Sequence, residues 1–122
     1  QMDINDKYDF EIQKKILKEK IEDINELYYA KGIIETFLNN KEKVDNHIIN
    51  NLKKWNINRL PKVDLAILRL AITEFFFFND IPIEVSVNEA VEMAKEYSDK
   101  DSAKFINGVL GGVITKENLI NG

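Results

Sequence analysis

The sequence predicts an all-α helical bundle, and three observations support that prediction. Apolar residues recur at three- to four-residue intervals along most of the 122-residue chain, as they do on one face of an amphipathic helix. Only two prolines and five glycines occur, and no stretch has the composition of a flexible linker. The segment "IPIEVSV" (Ile81–Val87) is too short to compete as a strand, contains Pro82 and runs into a helix start. We therefore expect one domain over residues 1–122.

Composition limits the kind of protein that this chain can be. Apolar residues make up 44% of it, and a domain of this size buries roughly two-thirds of the surface that its unfolded chain exposes. The absence of cysteine excludes disulfides and thiolate metal sites. A net charge of −4 argues against a broad nucleic-acid-binding surface but leaves room for a local basic strip. The opening "QMDINDKYDF" does not resemble a secretory leader, so we expect a cytoplasmic protein.

Two helices are expected in the first half of the chain. Spacings of three, four and seven residues predict a first helix from about Asp9 to Glu22, with Phe10, Leu17, Ile21 and Ile24 on its apolar face. Asp23 followed by Glu26 fits a capping box that starts a second helix. We predict that this second helix is long and ends at "KKWNINRLP" (Lys53–Pro61), because its apolar stripe includes Leu27, Ala30, Ile34, Phe37, Val44, Ile48, Leu52 and Trp55.

A third helix is predicted to lie in the middle of the bundle. Pro61 suits its first turn, where a missing N–H does no harm. From Val63 to Phe78 almost every residue is apolar, and a helix that is hydrophobic all round is buried on several sides.

Two more helices complete the prediction. Ser86 with Glu89 forms a second capping box, which would open a helix that ends near Tyr97. Asp101 or Ser102 is expected to cap the last helix, and Gly111 and Gly112 are expected to weaken its end. The side chains predicted to face the core from these helices are Val87, Ala90, Val91, Ala94, Phe105, Ile106, Val109 and Leu110.

No enzymatic motif can be assembled from the sequence. The single histidine, His47, has no readable partner for proton transfer and is interpreted as structural or solvated. The acidic residues between Glu84 and Asp101 place Glu92 and Glu96 on an outward helix face, which is typical of a solvated surface and not of a metal site. The glycines of "NGVLGG" follow a helical pattern and not a strand, so a phosphate-binding loop is not predicted. We expect a binding module without catalysis, cofactor or metal.

Three ordered blocks carry a resemblance to a known family. They are "PKVDLAILRLAITE" (Pro61–Glu74), "IPIEVSVNEAVEMAKEYS" (Ile81–Ser98) and "DSAKFINGVL" (Asp101–Leu110), and they resemble the NusB family of transcription antitermination factors. The resemblance extends more loosely through "LYYAKGIIETFLNN" (Leu27–Asn40), and before Asp23 it consists of helical character alone.

The resemblance implies a fold and a set of partners. NusB-like proteins are all-helical bundles of two packed helical subdomains and are not enzymes. They bind the boxA element of nascent ribosomal RNA leaders together with the ribosomal protein NusE. That pair joins NusA and NusG on RNA polymerase, suppresses premature termination and so promotes ribosomal RNA transcription.

One departure from the family pattern concerns the start of the chain. The family usually opens with an arginine-rich helix that contacts RNA, whereas this chain has only Arg59 and Arg69. We expect that the basic first helix is missing by truncation, a divergent family member being the alternative. Fewer phosphate contacts would weaken RNA binding and flatten its salt dependence.

The resemblance implies RNA-binding candidates at the start of the last helix. Asp101, Ser102, Lys104 and Phe105 match the family's "DS-KF" block, which lies near the RNA-facing edge. Lys104 could neutralise a phosphate, and Phe105 could stack on an unpaired base. The alternatives are helix capping by Asp101 and Ser102 and core packing by Phe105.

Asp64 and Arg69 match the family's "VD-A-LR-A" pattern. Asp64 lies in the first turn of its helix, where the helix dipole favours an anion, and it is a further RNA-binding candidate. Arg69 lies in an apolar helix and needs a carboxylate, so we predict a structural ion pair with Glu89. The basic residues Lys14, Lys15, Lys18 and Lys20 are interleaved with acids and are interpreted as a solvated helix face.

The run "EFFFFNDIP" contains four consecutive phenylalanines and is too short for a membrane span, which needs about 20 apolar residues. On a helix, Phe76 falls on the polar stripe of Arg69 and Thr73, and Phe77 lies beside it. We hypothesise that Phe76 and Phe77 are partly exposed and form a contact patch for NusE or for a second copy of this chain. Alternatively, these rings fold under the following loop or under the missing first helix.

Two rival functions remain open at the level of the sequence. NusB-like domains also form the RNA-binding part of some ribosomal RNA cytosine methyltransferases, which continue into a catalytic domain with a glycine-rich cofactor loop. The chain stops after "NGVLGGVITKENLING", which favours the stand-alone factor. The second rival is a helical protein-interaction module without RNA binding, which the scarcity of arginine supports.

Overall fold

The structure, a computed structural model, describes residues 4–54 and 56–120 and contains five α-helices in that part of the chain. The helices are α1 (Ile4–Asn39), α2 (Lys41–Ile49), α3 (Lys62–Phe77), α4 (Ile83–Tyr97) and α5 (Lys100–Lys116), with a short 3-10 helix (Ile57–Arg59) before α3. No strand occurs among the described residues, and the all-α prediction is confirmed. Trp55, which the predicted stripe included, lies outside them.

The chain divides into two compact units, Gln1–Gly32 and Ile33–Gly122. In the first unit the described side chains lie on one helical segment, and the apolar ones, such as Phe10, Leu17 and Ile24, are exposed. The Lys14 ammonium lies 5.6 Å from the centre of the Phe10 ring. That the chain forms one domain without the family's basic helix stays a prediction.

The predicted helix boundary at Asp23 is wrong, because α1 continues unbroken from Ile4 to Asn39. A capping box needs a non-helical first residue, and neither proline nor glycine interrupts the helix near Asp23. The predicted long second helix is also wrong, because it breaks at Asn40. There the Asn40 side-chain amide donates to the Thr36 carbonyl at 2.8 Å, and α2 begins at the next residue.

The core of the second unit surrounds α3, which packs against α2, α4 and α5. This confirms the prediction from its apolar sequence. Each large aliphatic side chain buried there stabilises the fold by about 1.5–3 kcal/mol. The fully buried large aliphatic residues are Val44, Ile48, Leu68, Ile72, Ile106, Leu110 and Val113.

Two predicted helix starts differ from the structure. Helix α4 begins at Ile83 directly after Pro82, so Ser86 lies inside the helix and is buried instead of capping it. Helix α5 is capped by Asp99 and not by Asp101 or Ser102, because the extended Asp99 places its carboxylate 2.8 Å from the Ser102 N–H.

Gly111 and Gly112 lie inside α5, which continues to Lys116. That these glycines weaken the end of the helix stays a prediction. Among the described residues, no helix combines the length and the apolar composition that a bilayer crossing requires.

Candidate nucleic-acid interface

A cavity of about 350 Å³ lies between the start of α3 and the start of α5. This volume is at the lower end of the range for small-ligand sites. We call it the Phe105 cavity, and its walls are formed by Leu60, Pro61, Asp64, Asp99, Asp101, Ser102 and Phe105. The first turns of α3 and α5 lie close together at this cavity because the two helices pack against each other.

Asp64 lines the cavity as a nearly buried carboxylate. It lies in the first turn of α3, as predicted, and only 3% of its surface is exposed. Its Oδ1 atom accepts no hydrogen bond in the structure. A buried polar atom without a partner costs about 1–3 kcal/mol, so this carboxylate is one hydrogen bond short in the structure.

The α5 side of the cavity is held by a short hydrogen-bonded turn. The Asp99 carboxylate accepts from the Ser102 N–H, and the Ser98 hydroxyl donates to the Ser102 hydroxyl, both at 2.8 Å. These bonds fix the backbone from which Asp101 extends into solvent. Phe105, one turn further, is half-buried against the core and exposes part of its ring to the cavity.

A second depression of about 330 Å³ also has Phe105 in its wall. We call it the Lys53 depression, and it is lined by Asn51, Lys53, Lys104, Phe105, Gly108 and Val109. Phe105 thus lines both hollows, of which the first also contains carboxylates and the second lysines. Lys104 is exposed and belongs to this second depression, not to the Phe105 cavity.

The structure therefore brings together four of the five predicted RNA-binding residues in one cavity: Asp64, Asp101, Ser102 and Phe105. Lys104 lies next to them on the same helix. Sequence reasoning missed Asp99 and Lys53. A signal for Asp99 was present, because an aspartate three residues before Ser102 fits an N-cap. Lys53 could not be found in this way, since it comes from the connection after α2.

The predicted ion pair between Arg69 and Glu89 is wrong. Arg69 pairs with Asp45 of α2 through two bonds, Nε to Oδ1 and Nη2 to Oδ2, each 2.9 Å long. The Arg69 guanidinium also lies 5.1 Å from the centre of the Phe37 ring. Glu89 is exposed on α4. The sequence contained several carboxylates within reach of an arginine, and only the packing of α2 on α3 selects Asp45.

The phenylalanine run divides between core and surface. Phe75 is buried, Phe76 and Phe78 are half-buried, and Phe77 is 39% exposed. The Phe76 ring stacks on His47 with 4.4 Å between ring centres, which agrees with a structural His47. The His47 Nδ1 atom lies 3.6 Å from a Glu117 carboxylate oxygen. Phe77 is thus the more accessible member of the hypothesised contact patch.

No metal site is formed in the part of the chain that the structure describes, because no three potential ligands from His, Asp or Glu come together there. The three carboxylates of the Phe105 cavity, Asp64, Asp99 and Asp101, therefore do not form a metal-binding group. An organic ligand with hydrogen-bond donors suits this cavity better than a metal ion does.

Comparison with known proteins identifies the family. The model of the NusB family matches residues 1–115 of this chain. The chain belongs to the NusB family. The resemblance noted in the three sequence blocks is thereby confirmed.

Individual NusB proteins show how far the similarity extends. "Transcription antitermination protein NusB" of Clostridium botulinum (strain Loch Maree / Type A3) is 58% identical over 86 residues, which cover 70% of this chain and 61% of that protein. The protein of the same name from Acetivibrio thermocellus is 44% identical over 115 residues, covering 88% of this chain and 79% of that protein. The solved structure of T. maritima NusB is 42% identical, has a TM-score of 0.68 and covers 71% of this chain and 61% of its own.

The chain corresponds to part of the length of several NusB relatives. The chain spans about 60% of the length of the clostridial NusB proteins that it matches over 86 residues. Their name describes transcription antitermination proteins and not enzymes, which agrees with the predicted absence of catalysis.

Proposed function

We propose that this NusB-family chain is a transcription antitermination factor that binds single-stranded, boxA-type leader RNA together with NusE and promotes ribosomal RNA transcription. One observation supports RNA binding most strongly: a half-buried aromatic residue, Phe105, lines the same cavity as Asp64, a buried carboxylate that is one hydrogen bond short. The name of the NusB relatives supports the role in antitermination.

The chemistry of the Phe105 cavity suits one unpaired nucleobase. A base stacks on the face of an aromatic ring, and stacking of this kind contributes about 1–3 kcal/mol per base. An ionised Asp64 only accepts hydrogen bonds, so it would bind the amino group of a base such as cytosine. Uracil offers a single N3–H donor, whereas an amino group offers two N–H donors, so the cavity should prefer an amino-bearing base at this position.

The charges around the cavity orient the RNA. Asp64, Asp99 and Asp101 would repel a phosphate placed inside it, so the sugar–phosphate backbone has to remain outside. Lys104, the neighbour of Phe105 on α5, lines the adjoining Lys53 depression and could neutralise that phosphate. Because the base must be unstacked to enter, the ligand is a single strand and not a duplex.

The protein partners follow from the proposed role. NusE would contact the exposed Phe77 and its neighbour Phe76, and the pair would act with NusA, NusG and RNA polymerase in a larger complex. Phe77 supports this assignment because an exposed aromatic side chain is a frequent anchor of protein interfaces.

Fluorescence anisotropy with a labelled boxA-like RNA tests the proposal. Phe105→Ala should weaken binding by about 1–3 kcal/mol, the value of one stacked base. Asp64→Asn replaces one acceptor oxygen by a donor amide and should reduce the preference for an amino-bearing base over uracil. Phe77→Ser, outside the cavity, is the matched control and should bind this RNA like the wild type. Absence of an RNA complex, with or without NusE, would contradict RNA binding and favour an interaction module.

A further inference from the structure

A polar groove of about 560 Å³ lies between α4 and α5 and has no role in the function described so far. We call it the α4–α5 groove. Its walls combine two small apolar side chains, two side-chain amides, three lysines and one carboxylate. In that order they are Val91, Ala103, Asn88, Asn107, Lys95, Lys100, Lys104 and Glu92. Positive charge therefore predominates in it, although the chain carries a net charge of −4.

All three lysines can contact a ligand, because two have no carboxylate partner and the third forms only an exposed ion pair, which contributes little. The Lys95 ammonium lies 3.3 Å from Glu92, and both side chains are more than half exposed. In the described part of the chain no carboxylate pairs with Lys100 or Lys104. The groove thus presents unpaired ammonium groups together with the amides of Asn88 and Asn107, which are the groups that commonly contact phosphate and sugar.

The groove is connected to the proposed RNA site through shared residues. Lys104 lines both the α4–α5 groove and the Lys53 depression, and Phe105 lines both that depression and the Phe105 cavity. Three hollows therefore follow one another around α5. In the middle one, the Lys53 depression, a Cβ added at Gly108 would meet no atom within 4 Å, so the surface is open there.

We propose that the RNA backbone continues from the Phe105 cavity past Lys104 into the α4–α5 groove, where Lys95 and Lys100 neutralise phosphates. This inference depends on the RNA binding proposed above. It assigns to the groove a single-stranded RNA and not an acidic peptide, because the groove is continuous with a cavity suited to a nucleobase.

The salt dependence of RNA binding tests this inference. Each phosphate neutralised on a single strand contributes about −0.7 to the slope of log K against log salt concentration. The variant Lys95→Gln/Lys100→Gln should therefore flatten the slope by about 1.4. The base preference set in the Phe105 cavity should not change. The control Lys20→Gln/Lys43→Gln removes the same charge from α1 and α2, lines none of the three hollows and should leave the slope unaltered.

The length of the RNA provides a second measurement. The effect of Lys95→Gln/Lys100→Gln should appear with an RNA that carries flanking nucleotides on both sides of the boxA-like element. It should be absent with an RNA that fills only the Phe105 cavity. An unchanged slope, or an equal effect on both RNAs or in the control, would overturn the inference while leaving RNA binding intact. If wild-type protein binds neither RNA, the proposed function fails together with it.

Discussion

Asp45 and Arg69 form a two-bond ion pair that joins α2 to α3. Both bonds are 2.9 Å long, and the side chains are 14% and 26% exposed. Lys41 lies 3.7 Å from the same aspartate, and the Phe37 ring lies beside the guanidinium. The pair therefore fixes the position of α2 against the most buried helix of the fold.

Loss of this pair should destabilise the protein. We expect Arg69→Met to lower the free energy of unfolding by about 1–3 kcal/mol, because charged hydrogen bonds of this kind are stronger than neutral ones. Urea unfolding followed by circular dichroism measures the change, and a double-mutant cycle with Asp45→Asn should show coupling. The control Glu89→Gln should change stability by less than about 0.5 kcal/mol. Coupling of Arg69 to Glu89 would contradict the structure.

The two adjacent glycines of α5 should respond differently to alanine. At Gly111 a methyl group meets no atom within 4 Å, so Gly111→Ala should stabilise the helix by about 0.5–1 kcal/mol. At Gly112 the methyl group would clash with the Asn51 side chain, which donates a hydrogen bond to the His47 carbonyl. We expect Gly112→Ala to give no such gain and to be destabilising relative to Gly111→Ala.

Thermal unfolding of the two glycine variants provides the comparison. Adding Asn51→Ala removes the obstruction, so the double variant Asn51→Ala/Gly112→Ala should be more stable than the two single changes predict together. Equal stabilisation by both glycine variants would show that Asn51 does not occupy this space.

The N-cap of α5 should contribute measurably to stability. Asp99→Ala removes the bond to the Ser102 N–H and should cost about 1 kcal/mol, as is usual for a lost N-cap. Asp101→Ala provides the matched control, because Asp101 lies in the first turn and gains only the weaker interaction with the helix dipole. A larger loss for Asp101→Ala than for Asp99→Ala in urea unfolding would contradict the assigned cap.

Phe76 and Phe77 should have separable roles. Phe76→Leu loses the stack on His47 and should lower stability by about 0.5–1.5 kcal/mol. Phe77→Lys should lower stability less than a change at a buried phenylalanine would, since Phe77 is 39% exposed, but should weaken the complex with NusE. Sedimentation of both variants, with and without NusE, measures these effects. If the wild-type protein and both variants are monomeric, this patch does not form a homodimer. If Phe77→Lys leaves the NusE complex unaffected, this patch does not bind NusE.

The sequence predicted those features that depend on periodicity over many residues. The helical character of the chain, the buried α3 and the inward faces of α4 and α5 all follow from repeated apolar spacing. Predictions that relied on a single short motif were less successful. Asp23 with Glu26 and Ser86 with Glu89 have the spacing of capping boxes, but both pairs lie inside helices where the backbone never leaves the helical conformation.

Features that depend on packing could not be predicted from spacing. Arg69 pairs with Asp45, 24 residues away in the sequence, because α2 lies against α3. The grouping of Asp64 with Asp101, Ser102 and Phe105 was suggested by family resemblance, and the structure supplies the cavity that unites them. The α4–α5 groove could not be predicted either, because its lysines come from two helices and each resembles an ordinary solvated residue.

Ultraviolet cross-linking of the wild-type protein to a boxA-like RNA, followed by tryptic digestion and mass spectrometry, tests the central claim most directly. Cleavage after Lys104 and Lys116 releases Phe105 in a peptide of its own, which covers residues 105–116. The proposed site predicts a nucleotide attached to this peptide, and loss of that product in Phe105→Leu. Cross-links confined to peptides from α1 and α2 would contradict it.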